Sequence, residues 1–154
     1  MEEATAQARL DGFIDKYAPE VAASMRTLLG RMKARLPGAQ MLVYDNYNAL
    51  VIAFGATDKP SQAVLSLAAY PRYVSLFFVW GKDLPDPDGL LQGGGNQVRS
   101  IPLLSLEALD DPRVDALIAA AVARSRPPFD PTEPQRLMIR SISAKQRRRR
   151  PEEG

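Results

Sequence analysis

At 154 residues, with 45% hydrophobic and 25% charged side chains, the chain suffices for one hydrophobic core and is short for two. It contains no cysteine and no histidine, which excludes disulfides, thiol nucleophiles, Ser-His-Asp triads, Cys-His dyads and ordinary zinc sites. The formal net charge of +2 is local: Lys145 and Arg147 to Arg150 supply five of the 20 basic residues, and without Ser143 to Gly154 the remainder carries 15 basic against 16 acidic residues. A near-neutral body argues against nucleic-acid binding, apart from weak phosphate contacts by Lys145, Arg147, Arg148, Arg149 and Arg150.

The acidic, polar start, Met1-Glu-Glu-Ala-Thr-Ala-Gln7, lacks the basic-then-apolar pattern of a signal peptide. The apolar runs also fall well short of the roughly 18 residues of a membrane helix, so a cytoplasmic protein without membrane contacts is expected. Ala6, Leu10, Phe13, Ile14 and Tyr17 form a helical stripe. After Pro19, Val21, Met25, Leu28, Leu29, Met32 and Leu36 form another, ended by Pro37-Gly38, and the pair predicts a helical hairpin.

The period then changes. Met41 to Asp45, Ala49 to Ala56, Ala63 to Tyr70 and Tyr73 to Trp80 are short, β-branched and aromatic, and their brief connections favour antiparallel pairing. Val98 to Leu104 makes a fifth strand, which Pro102 places at an edge. Asp111 and Pro112 open a helix running to about Ser125, with Val114, Leu117, Ile118, Ala121 and Val122 as its stripe. Gln135 to Ser143 reads as a final strand. The predicted class is α+β: an antiparallel five- or six-stranded sheet packed against the N-terminal hairpin and a C-terminal helix. Residues 1–143 form the single domain, and 144–154 form a basic disordered tail.

Site-like residues cluster around Gly93-Gly-Gly-Asn-Gln-Val-Arg99, which follows the strand ending at Trp80. Glycines there serve either a difficult turn between strands or a pocket that lets a ligand approach the backbone closely. In the second case Trp80 supplies stacking, Asn96 an amide and Arg99 a positive charge, while Tyr44 and Tyr47 form the other lip. The loop has neither Walker nor Gly-x-Gly-x-x-Gly spacing. Asp83, Asp86 and Asp88 lack calcium-loop spacing, and Asp110, Asp111 and Asp115 suit a helix cap and first turn, so no metal set and no cofactor are expected. No carboxylate pair is patterned for acid–base catalysis, so no catalytic residue is named.

Taken together, Tyr44-Asp-Asn-Tyr-Asn48, Phe77-Phe-Val-Trp-Gly81, Leu84-Pro-Asp-Pro-Asp-Gly-Leu-Leu91, Gly93 to Arg99 and Leu106-Glu-Ala-Leu-Asp-Asp-Pro112 resemble the DUF1801, or YdhG-like, family over nearly the whole chain. The resemblance implies an antiparallel sheet backed by helices, and it marks Gly93, Gly95 and Arg99 as family-pattern positions. Asn96 stands where many relatives place a lysine, which removes a mobile cation. Some relatives carry a frataxin-like iron-chaperone label, which here implies surface carboxylates such as Glu2, Glu3, Asp11 and Asp15. The expected function is a non-enzymatic module binding a small molecule or anion at the glycine loop. The alternatives are an iron chaperone and, third, an enzyme using carboxylate acid–base chemistry.

Overall fold

The two N-terminal stripes become helices because each has a sheet face to bury against. In the computed structural model, which describes residues 2–151 and the side chains of 4–151, they are α1 (Glu2–Ile14) and α2 (Pro19–Arg35). Leu10, Ile14, Tyr17, Met25, Leu28 and Met32 are each at most 1% exposed. Pro19 opens the first turn of α2, where its missing N–H costs nothing, and Lys33 and Arg35 sit in the last turn, where cations suit the helix dipole.

Strands β1 (Gln40–Asp45), β2 (Leu50–Gly55), β3 (Ala63–Ala69), β4 (Val74–Phe78), β5 (Arg99–Leu103) and β6 (Arg136–Ile142) form one sheet in the order β5-β4-β3-β2-β1-β6. The first five pair as an antiparallel meander, the short connections among β1 to β4 favouring it and the longer segment 79–98 joining β4 to β5. Strand β5 is an edge, which tolerates the missing N–H of Pro102. Met41, Val43, Leu50, Ile52, Phe54, Leu65, Leu67, Leu76 and Phe78 join the helices in the main core. On the other face Leu42, Ala53 and Ala63 form a small second cluster with Tyr44 and Met138.

The sheet departs from a purely antiparallel one at β6, which runs parallel to β1 and pairs Gln40 with Arg136 and Asp45 with Ile142. Strand β5 ends level with the end of β1. Helix α3 (Pro112–Ala123) and residues 124–135 then return the chain to the end where β1 begins, the long crossover that parallel pairing needs. Asp111 caps α3, its Oδ1 accepting the Arg113 N–H at 2.9 Å.

The basic segment also differs from the disordered end expected from residue 144. Ser143 donates its N–H to the Asp45 carbonyl at 2.9 Å and Arg147 donates to the Tyr47 carbonyl at 2.8 Å. Arg149 is 5% exposed. The physical reason is a buried carboxylate, that of Asp45, which holds this segment through a cation. Residues 152–154 of the expected tail lie outside the described residues. Among the described residues, no helix is long and apolar enough to cross a membrane.

Candidate functional site

The apolar strand β4 ends at Phe78, and the chain turns sharply through Trp80 into a short 3-10 turn, Gly81–Asp83. Glycine is required at 81 because a Cβ there would lie 2.5 Å from the Arg99 Cβ, so any larger residue would push the Trp80 turn away from β5. Beside this turn lies a cavity of about 420 Å³. Val64, Phe78, Leu84 and Ala121 give it an apolar back wall, and Trp80, Arg124 and Arg126 stand at its rim. Trp80 is 52% exposed, so its indole is available to a ligand. Arg124 donates through Nη1 to the Asp83 carbonyl at 2.6 Å, and Arg126 through Nη1 to the carbonyls of Ala123 and Ser125 at 3.0 and 2.8 Å. Among the described residues neither guanidinium is ion-paired to a carboxylate, although Asp83 also lines the cavity. An apolar wall with a flat aromatic and two cations at the mouth suits a small body carrying an anionic group.

The glycine loop forms a separate, more open depression lined by Phe77, Gly93 to Gly95, Asn96 and Ser100. Gln92 and Ser100 exchange backbone hydrogen bonds at 2.8 and 2.9 Å, closing the loop at its base. Gly93 takes φ +132°, a conformation that other residues resist. Arg99 turns back on the loop, donating through Nη1 to the carbonyls of Gly95 and Val98 at 2.8 and 2.9 Å. Its visible role is to staple the loop. Trp80 belongs to the neighbouring cavity rather than to this depression.

Tyr44 and Tyr47 stand at the opposite end of the sheet from the glycine loop. The ladder runs from Asp45–Leu50 through Ala69 and Val74 to Leu103, whereas the glycine loop adjoins the Phe78–Arg99 pair. They therefore form no second lip for that loop. The seven predicted residues divide among three places: Trp80 at the cavity, Gly93, Gly95, Asn96 and Arg99 in the loop, and the two tyrosines at the β1–β2 end.

Sequence reasoning missed a charged cluster at that end. The Asp45 side chain is fully buried, with Lys16 Nζ at 2.5 Å from Oδ2 and Arg149 Nη2 at 3.0 Å from Oδ1. Arg149 also donates to the Asn46 and Tyr47 carbonyls, and Gln146 Nε2 donates to the Asp45 carbonyl at 3.1 Å. Burial pushes the Asp45 carboxyl up, but hydrogen bonds from Lys16, Gln146 and Arg149 outweigh it and hold it below the usual carboxylate range. Beneath it Tyr17 accepts the Leu50 N–H at 3.0 Å and donates to the Ala69 carbonyl at 2.7 Å. Burial raises its phenol above the ordinary value. Every polar group of Asp45 is committed to the fold, so the cluster is a structural latch. An aspartate at the end of an apolar strand was its one sequence signal.

Several other carboxylates are likewise occupied. Asp86 accepts the N–H groups of Leu90 and Leu91, both at 2.9 Å. Asp110 pairs with Arg31 at 3.0 Å and Asp115 with Arg35 at 2.7 Å. Of the surface set named for iron, Asp15 pairs with Arg26 at 2.6 Å, Asp11 accepts from Gln7 at 3.2 Å, and the side chains of Glu2 and Glu3 lie outside the described residues. Among the described residues no three acidic side chains converge on a point that could hold a metal. In comparisons with family models, with curated proteins and with solved structures, nothing matches the chain.

Proposed function

We propose that this domain is a non-enzymatic small-ligand-binding module of the cytoplasm, whose ligand has a compact apolar or aromatic body and one anionic group. The cavity beside Trp80 carries this reading: it combines an apolar wall, an accessible indole and two arginines bonded only to backbone carbonyls. Its volume of about 420 Å³ lies within the range of small-molecule sites. We also propose kinship with the DUF1801 family. The motifs between Tyr44 and Pro112 carry that reading.

Trp80 is the chain's single tryptophan, so its fluorescence reports on this cavity alone. The test titrates the protein with 8-anilinonaphthalene-1-sulfonate, an aromatic sulfonate, and with its neutral counterpart N-phenyl-1-naphthylamine. Saturable quenching of Trp80 by the sulfonate is expected. The double variant R124Q/R126Q should weaken the sulfonate about tenfold, the loss of one charge-assisted hydrogen bond, and leave the neutral probe unchanged. An absence of saturation below about 1 mM would sink the reading. So would amide shifts confined to Gly93 to Arg99, which would move the site to the glycine loop.

A further inference from the structure

The basic segment lacks aromatic residues in its own sequence, but folding supplies one. Arg147 donates its N–H to the Tyr47 carbonyl at 2.8 Å, and its guanidinium carbon lies 5.5 Å from the centre of the Tyr47 ring. That ring is 48% exposed. Arg149, buried and neutralised by Asp45, pins the segment from below. Its neighbours Arg147 and Arg150 are therefore held on the outside, with Lys145 also exposed. Among the described residues, Lys16 and Arg147 to Arg150 line a concave surface of about 660 Å³.

We propose that this surface binds single-stranded nucleic acid, with Tyr47 as a stacking face for a base and Lys145, Arg147 and Arg150 as phosphate contacts. Cations alone would accept any polyanion. An exposed ring beside them favours a strand whose bases are free to stack, since a duplex keeps its base faces covered. Anchoring by Arg149 lowers the ordering cost, because the segment is already folded before a ligand arrives.

The experiment is fluorescence anisotropy of a short labelled oligothymidylate on the full chain, over about 0.05 to 0.2 M salt. Saturable binding is expected, with a slope of log K against log salt of about −2, as about three single-strand phosphate contacts imply. Tyr47→Ala should weaken binding about five- to one-hundred-fold, whereas Tyr47→Phe should restore it. The variant R147Q/R150Q should flatten the salt slope, and thermal melting of each variant separates lost binding from lost folding. Failure to saturate at the lowest salt overturns the proposal. Equal affinity for the matching duplex with no response to Tyr47→Ala overturns it too, leaving a general polyanion patch. Binding to phosphatidylserine vesicles without binding to the oligonucleotide would assign the surface to a membrane instead.

Discussion

Two regions of the molecule hold the same ingredients, a pair of cations beside an aromatic ring, and use them differently. At the β1–β2 end, Lys16 and Arg149 converge on the Asp45 carboxylate, with the Arg149 guanidinium 5.8 Å from the Tyr17 ring. At the β4 end, Arg124 and Arg126 stand near Trp80 and bond only backbone carbonyls. The first set pairs its charges internally and closes the fold. The second leaves positive charge over an apolar hollow, where an external anion can complete it. Cation content alone does not mark a binding site; what marks it is whether the chain supplies the counter-charge.

The sharpest way to break this contrast is to remove the internal counter-charge. Asp45→Ala should cost about 3–5 kcal/mol, toward the lower end because Lys16, 40% exposed, can turn to water while Arg149 cannot. Arg149→Gln should follow at about 1.5–3 kcal/mol, the scale of a hydrogen bond to a charged group. Urea unfolding measures both. The pH dependence has a definite sign: the folded Asp45 pKa is depressed, so its stabilisation is present above the unfolded value near 4 and disappears as pH falls through the folded value. The gap between wild type and Asp45→Asn should narrow below about pH 4. A constant gap down to acid denaturation would refute the latch.

The next effect concerns the turn that carries Trp80. Gly81→Ala should destabilise by about 1–3 kcal/mol, because its methyl meets the Arg99 side chain where β4 and β5 approach. Trp80 emission should shift in the same variant, and an unchanged spectrum with full stability would mean that the turn relaxes freely. The smallest effects come from sites that the comparison treats as unfilled. Arg124→Gln and Gly94→Ala should each alter stability by no more than about 0.5 kcal/mol, since Arg124 bonds one carbonyl and a Cβ at Gly94 meets open space. A large loss at Arg124 would move it from the proposed ligand site into the structural set.

Much of the fold was legible in local pattern. The stripes of α1, α2 and α3, the cap at Asp111 and the edge position forced by Pro102 follow from helical periodicity, side-chain capping and a missing donor, all properties of a few neighbouring residues. The site was only partly legible. Trp80 stood out as a large aromatic ending an apolar strand, but it was assigned to the glycine loop, because its cavity neighbours Arg124 and Arg126 lie more than forty residues away. Arg99 was read as facing a ligand, whereas its nearest acceptors are the carbonyls of its own loop.

By itself, the sequence determined the class of chemistry that is closed to this protein, the α+β pattern and the near-neutral body, because composition and short-range period depend on nothing else. Tertiary structure alone decided the parallel entry of β6, the burial of Arg149 against Asp45 and the meeting of Tyr47 with Arg147. These pairings join residues about a hundred positions apart. A run of arginines looks the same whether solvated or anchored, and only the position of a buried carboxylate tells the two apart.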